Sequence, residues 1–344
     1  MDLDTPALTI VSLRVDDPAA VEADYEIRRA ARAADVPDFP PPCSYQHEAQ
    51  MRHPWPGRDV RNALAYLDGV PVGRYVLELS TIDNLENAEL DVTVHPEHRR
   101  QGVGRRLFEH ATELARAEGR KRVMGMSVET LPGGPERDDA GTRFAQAMGM
   151  TNALADVRRR LDLATIDPAD HDRLVDEAWA KADGYSLVQW QATTPEEHID
   201  DIAALDSSFL DEAPLGDLAW EPEKVDAERV RQSDAIRNAH GARKYNTGLR
   251  HDATGRVVAW SALVLFSTVP WHAWQGITLV DPRHRGHRLG MLSKVVNLRY
   301  MLENEPEVRM IDTWNASVNK HMIAINEAMG FRAVDAWANW QRDV

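Results

Sequence analysis

The chain has 344 residues, 43% of them hydrophobic, and a formal net charge of −15. Its length suggests two domains, each with its own core. The acidity argues against general nucleic-acid binding, which needs a basic face, and the single cysteine, Cys43, excludes an intramolecular disulfide.

The amino terminus, with Asp2 and Asp4, lacks the basic, apolar, small-residue order of a secretion leader. No run of about 18 apolar residues occurs, so no membrane partner is expected and the expected setting is cytoplasmic. Pro18 to Ala33 reads as a helix. The turn Asp68-Gly69 introduces an apolar, β-branched segment at 70–80, the second strand of a hairpin. A further strand, Ala88 to Val94, leads into the loop Arg99-Arg100-Gln101-Gly102-Val103-Gly104. Behind it Leu107, Ala111, Leu114 and Ala115 fall at helical spacing. Val123 to Val128 is a strand, a helix closes at Gly149, and Val157 to Leu163 is the last strand.

The stretch 166–191 is rich in Asp and Ala and reads as a partly helical join. The same order then returns. Thr194 is a candidate N-cap, with Pro195 as first residue of a helix to Phe209. A hairpin strand occupies 257–267, a second loop follows Val280, Met310 to Trp314 is a strand, a helix ends at Gly330, and Ala333 to Trp340 closes the copy. Val72 maps onto Val258 and Val94 onto Val280, each 186 positions on. Two separate elements sharing one offset imply a duplicated domain, 1–165 and 192–344.

The first loop follows a strand and opens a helix. The leading amides of a helix have no internal partners, and its dipole favours an anion there. Gly102 and Gly104 keep Cβ atoms out of an anion's path. Arg99, Arg100, Arg105 and Arg106 add positive charge. A solvated basic turn is the plainer alternative; the strand–loop–helix context favours anion binding. In the second copy Arg285-Gly286-His287-Arg288-Leu289-Gly290 aligns with this loop. Arg288 replaces Gly102, so its side chain either crowds an anion or points away, and Gly286 is able to compensate. The pairs His95/His98 and His284/His287 lack a third ligand, so no metal is expected.

With Val94-His95-Pro96 before it, Arg99-x-x-Gly102-x-Gly104 resembles the GNAT acetyltransferase superfamily, and the element order resembles it in both copies. The resemblance implies an α/β (α+β) fold of two GNAT-type acyl-CoA N-acyltransferase domains, each a mixed twisted sheet flanked by helices. It implies acetyl-CoA as co-substrate. Its pyrophosphate would lie on the loop Arg99, Arg100, Gln101, Gly102, Val103, Gly104 and Arg105, and its pantetheine arm along Val92 and Val94. Val280, Arg285, Gly286, His287, Arg288 and Gly290 are the second-copy counterparts. The segment 315–332 resembles the family's final helix, with Asn319 and Asn326 on the motif. Asn326 stands where members carry a tyrosine acid; the first-copy counterparts of Asn319, Met322 and Asn326 are Asp138, Gly141 and Ala145, so neither copy has the tyrosine.

Acetyl transfer needs a base for the ammonium proton of the acceptor. Alternation puts Glu89, Asp91 and Thr93 on one strand face. Glu89 is the candidate base, because members often carry a glutamate on this strand, and Asp91 is second. Exposed strand-face acids are the alternative. The second copy has Gln275 and Ile277 at these positions, which cannot act as bases. The expectation is an N-acetyltransferase for a small-molecule amine, a monomer or homodimer, with direct transfer in the first copy. A non-catalytic acyl-CoA-binding or sensor protein, and a protein N-acetyltransferase, remain open on the same residues.

Overall fold

The computed structural model describes residues 8–209, 214–266 and 268–344. Asp2 and Asp4 of the amino-terminal reading, and Ser267 at the end of the second hairpin strand, lie outside them. The chain forms two units that interleave in sequence. The first takes residues up to Ala155, Gly216–Trp220 and Ala336–Val344; the second takes Asp156–Leu215 and Glu221–Asp335.

In unit one β1 (Leu8–Ser12), β2 (Arg58–Leu67), β3 (Val70–Ser80), β4 (Asn87–Val94) and β5 (Arg122–Thr130) lie side by side in that order. The ladders are antiparallel as far as β4, and β4 pairs with β5 in parallel. The β2–β3 turn is tight because Asp68 and Gly69 both take positive φ, 50° and 81°, as a hairpin turn matched to strand twist requires. The helices are α1 (Pro18–Asp35), α2 (Ser44–Arg52), α3 (Val103–Ala117) and α4 (Ala140–Ala147). Asp17 caps α1 by accepting the Ala19 and Ala20 amides. Cys43 caps α2 through its sulfur, 3.3 Å from the Gln46 nitrogen, a structural place for the lone thiol. The apolar stripe of α3, Leu107, Phe108, Ala111 and Ala115, packs on Leu77, Leu79, Leu90 and Val123.

In unit two the sheet order is β6 (Thr151–Asp162), β11 (Met310–Ala316), β10 (His272–Val280), β9 (Val257–Phe266), β8 (Ala242–His251) and β7 (Tyr185–Gln191). Its helices are α5 (Pro168–Trp179), α6 (Ile199–Ser207), α7 (Ala227–Ala239), α8 (Leu289–Asn304) and α9 (Lys320–Ala328). The join expected at 166–191 is therefore α5 and β7, inside unit two. Two strands are divided between the units. β6 begins in unit one, and its residues 156–162 pair with β11 in unit two. β12 (Arg332–Asp343) begins in unit two, and from Ala336 it belongs to unit one, where the Trp340 ring nitrogen donates to Ser127 and the Val344 amide to Lys121.

A buried ion network pins β6 to β11. Arg158, fully buried, donates to both Asp335 oxygens (2.8 and 2.6 Å) and to Asp312 (3.1 Å). Arg160 gives Asp312 two more bonds of 2.7 Å, and His272 lies 3.1 Å away. Burial alone would push the Asp312 carboxyl up; the bonds from Arg160 and His272 hold it down at about 2.

The offset of 186 recurs in the backbone. The His95 amide bonds to the Val72 carbonyl and the Asp281 amide to that of Val258; Arg106 bonds to Gly102, and Leu292 to Arg288. One expected boundary differs. The second copy's early helix starts at Ile199, with His198 as its N-cap, and not at Pro195. The Thr194 amide donates to the buried Asp234 carboxylate at 2.8 Å, and residues 195–199 make three-residue turns, His198 to Pro195 and Ile199 to Glu196, before the helix begins.

Candidate active site

Each loop follows a single 3₁₀ turn, Pro96–His98 or Pro282–His284, and then enters left-handed backbone twice. Arg100 and Gly102 have φ of 66° and 83°; Gly286 and Arg288 have 88° and 55°. Glycine and arginine have exchanged places between the copies, and the backbone path is the same. A left-handed non-glycine residue costs about 1–2 kcal/mol, and each loop carries one. Arg288 points away from the turn, with Nη1 2.7 Å from Glu177 Oε2 on α5, and Gly286 takes the other left-handed position of the loop.

The first helical bonds run from the amides of Arg106 (3.2 Å) and Leu292 (3.0 Å). The amides of residues 103–105 and 289–291 precede both ladders and are placed for an outside acceptor. Gln101, Gly102 and Arg105 are exposed beside the first set. A Cβ on Gly102 would meet nothing within 4 Å, whereas one on Gly104 would stand 3.1 Å from Phe144 and one on Gly290 3.3 Å from Val280. Gly104 and Gly290 thus allow close packing of the helix, Gly104 against Phe144 of α4 and Gly290 against Val280 of β10. Arg99 is held elsewhere too. Its guanidinium forms two bonds to Asp35 at the end of α1, 2.7 and 2.8 Å long.

Before each loop the parallel strand pair opens. β4 pairs with β5 only from Asn87 to Glu89, and β10 with β11 only from His272 to Trp274. His95 bonds to β3, so alternation turns the peptide groups of Leu90, Val92 and Val94 toward the open seam. The same argument turns the peptide of Val280 toward the seam of unit two.

The side chains of Leu90, Val92 and Val94 join the core. Glu89, Asp91 and Thr93 occupy the other face, as alternation requires. Glu89 is paired with Arg58 of β2 at 2.6 Å. Arg58 also donates to Ser80 (2.8 Å) and lies over the ring of Trp220, 5.6 Å from its centroid. Asp91 accepts from Arg74 of β3 (3.2 Å) and from the Thr93 hydroxyl (3.1 Å). Directly opposite Glu89 in the ladder is Glu78, which sequence reasoning missed. Burial first, and the Glu89 charge second, push the Glu78 carboxyl above the usual carboxylate range. The available signal was an acid set alone in the apolar strand 70–80.

Unit two is built differently here. β10 carries a bulge between Gln275 and Thr278, so the ladder position equivalent to Glu89 is Trp274, one residue before the Gln275 that a constant offset selects. Trp274 stacks on Trp314 with centroids 5.4 Å apart. Gln275 donates to the Ala262 carbonyl at 2.9 Å and steadies the bulge. Asn319 caps α9 by accepting the Met322 amide at 3.1 Å. Asn326, fully buried, donates to Asn315 and accepts from the Lys294 ammonium. Lys294 is itself buried, its Nζ 5.1 Å from the Phe331 ring centroid, and burial lowers its pKa to about 7. The first copy has the apolar Phe108 and Ala145 at these two places.

Among the described residues no group of three or more His, Cys, Asp or Glu side chains is arranged for a metal ion. No described helix is long and apolar enough to cross a membrane.

Twice in this chain, then, a parallel strand pair opens toward the amide end of a helix, which is the architecture of an acyl-CoA N-acetyltransferase of the GNAT type. The Acetyltransferase (GNAT) family profile matches residues 25–131. A solved tandem GNAT protein from the clavulanic acid biosynthesis pathway is 35% identical with a TM-score of 0.85, over 98% of each chain. The chain belongs to the GNAT acetyltransferases, in their tandem form. It is also similar to the mycothiol acetyltransferase of Geodermatophilus obscurus, 34% identical over 160 residues, a match spanning 46% of this chain and 46% of that protein. A GCN5-related N-acetyltransferase from Sphaerobacter thermophilus shares the fold at 14% identity, with a TM-score of 0.63 over 98% of this chain and 95% of that one. Acetyl-CoA is the usual donor in this family.

Proposed function

We propose that unit one transfers the acetyl group of acetyl-CoA to a small-molecule amine. The observation that carries this reading is the carboxylate pair Glu78 and Glu89, set across the ladder where β4 parts from β5. Acetyl-CoA, when bound, supplies the acetyl group. The Gly102–Arg105 amides, with Arg100, Gln101 and Val103, are the proposed pyrophosphate contacts, and the backbone of Val92 and Val94 holds the pantetheine arm. Arg99 acts as a positioning residue, fixing the loop to α1. Glu89 is paired with Arg58, while burial first and the facing Glu89 carboxylate second raise the Glu78 pKa. Glu78 is then poised to take a proton from the acceptor ammonium, leaving the neutral amine that attacks. A carboxyl whose pKa is raised by its surroundings is suited to general-base work near neutral pH.

The acyl-CoA contacts of unit two are the backbone of Val280 and of the loop residues Arg285, Gly286, His287, Arg288 and Gly290, while Asn319 caps the final helix and the buried Asn326 braces it from within. It lacks the carboxylate pair and serves as the binding or supporting half. The names of the mycothiol and clavulanic acid pathway relatives favour a small molecule over a protein as acceptor.

Thiol release from acetyl-CoA with an amine panel tests the reading. Glu78→Gln and Glu89→Gln should each lower kcat by roughly a hundredfold, the usual scale of general-base loss. Asp91→Asn should change it by less than about threefold, since Asp91 serves Arg74. Both glutamine variants remaining within about threefold of the wild type would remove the pair from the chemistry.

A further inference from the structure

Asp24, Arg28 and Arg32 recur every fourth residue along α1 and so share one face, and α1 packs against β3 and β4. Around this face stand three arginines, Arg28, Arg32 and Arg74, and two carboxylates, Asp24 and Asp91. Arg74 uses both carboxylates, at 2.8 and 3.2 Å. The second oxygen of Asp24 lies 2.9 Å from His47 Nε2 of α2. Burial is the largest influence on His47 and lowers its pKa despite that carboxylate, so near neutral pH the ring adds no charge.

Arg28 and Arg32 are left over. Arg28 Nη1 donates to His47 Nδ1 at 3.2 Å, a neutral acceptor. Arg32 Nη1 reaches the Pro40 carbonyl at 3.4 Å, and its guanidinium stands 5.7 Å from the Phe39 ring centroid. Among the described residues neither forms an ion pair. Both are half-buried, and burial lowers both guanidinium pKa values, that of Arg32 to about 10. Arg74 bridges Asp24 of α1 and Asp91 of β4, so this face of α1 lies over the strand face that carries Asp91. A desolvated cation is stable when an anion meets it, and a guanidinium fork suits a carboxylate in particular.

We infer that the acceptor of unit one is an amino acid-like molecule whose carboxylate binds Arg28 and Arg32 while its amine faces Glu78 and Glu89. The inference rests on the acetyltransferase reading of this unit and adds the substrate class to it. Arg28 and Arg32 are binding residues in this scheme, and Arg74 is a positioning residue that ties Asp91 to α1.

The full-length protein is assayed for thiol release with matched acceptors, each acid beside its carboxamide: glycine, L-alanine, β-alanine and glycylglycine. The expected best acceptor is an acid whose carboxamide loses roughly ten- to a hundredfold in kcat/KM, the range for one charge-assisted contact. Arg28→Gln and Arg32→Gln should raise KM for the acid, leave kcat within about threefold, and bring the acid-to-amide ratio toward one. Arg32→Lys should recover part of that ratio. Carboxamides turned over as well as their acids, or a ratio unchanged in both glutamine variants, would overturn the assignment. If no amine in the panel releases thiol, the acetyltransferase reading fails, and the anion site is judged by acetate alone. With coenzyme A saturating, acetate should raise the Tm of the wild type to a plateau and leave both glutamine variants unmoved. Equal acetate responses in all three proteins would overturn the site.

Discussion

Replacing Lys294 by Met removes a buried ammonium and keeps most of its volume. Burial brings the lysine from its ordinary 10.5 to about 7. A folded-state pKa below the unfolded one means that the unfolded chain binds more protons between those two values, so stability rises with pH across that window. The gap is about 3.5 pH units at about 1.4 kcal/mol each, which at pH 7 makes the lysine cost the fold about 4 kcal/mol. At pH 10 the unfolded chain has itself begun to lose the proton, and the cost falls below about 1 kcal/mol. Methionine also leaves the Asn326 carbonyl without its donor, a loss of about 1–3 kcal/mol at either pH. Lys294→Met should therefore stabilise the protein by about 1–3 kcal/mol at pH 7 and be neutral or destabilising at pH 10. Urea unfolding followed by tryptophan fluorescence at several pH values between 6 and 10 gives both quantities by linear extrapolation. An effect of the same sign and size at pH 7 and pH 10 would show that Lys294 is not titrating inside the fold.

Asp312→Asn should cost about 3–5 kcal/mol, because it leaves the buried Arg158 and the half-buried Arg160 short of countercharge; calorimetry would show a lowered Tm, and an unchanged one would discount the network. The Asp312 carboxyl is held at about 2, so its share of stability is complete above the unfolded carboxylate range and is lost as pH falls through about 2, which acid titration of the wild type against Asp312→Asn would reveal. Arg288→Gly relieves a left-handed arginine and gives up only the exposed Glu177 pair, so it should stabilise by roughly 0.5–1 kcal/mol in chemical denaturation. A loss of stability in that variant would mean that the Glu177 contact outweighs the backbone relief.

The duplication was legible because the residues that turn the chain are special ones. Gly69 returns as Gly255 and the first arginine-glycine loop as the second at the same offset, and Gly69, Gly255 and two residues of each loop carry positive φ. The partners of the closing strands were not legible. Alternation in 151–162 and 332–343 records which face of a strand is apolar and is silent on which strand lies beside it. The β10 bulge was hidden for a related reason, since one extra residue leaves the loop offset intact and shifts only the positions before it. Glu89 and Asp91 fell on the expected face by simple periodicity. Glu78 did not stand out, because its importance comes from a cross-strand neighbour. The helix expected from Pro195 begins one turn later, at Ile199, a boundary that the N-cap signal at Thr194-Pro195 did not fix.

The division of β6 and β12 between the units has a consequence for inheritance. A break between α5 and β7 would give two fragments, neither holding a whole unit. The first fragment would lack Gly216–Trp220 and Ala336–Val344, and the second would lack Asp156–Asp162 and α5. Either unit would then be whole only where both fragments meet. Reciprocal lending of this kind removes the usual freedom of a duplicated gene to discard one copy. Loss of the second copy would take with it Ala336–Val344, the closing segment of unit one, whatever chemistry that copy has of its own.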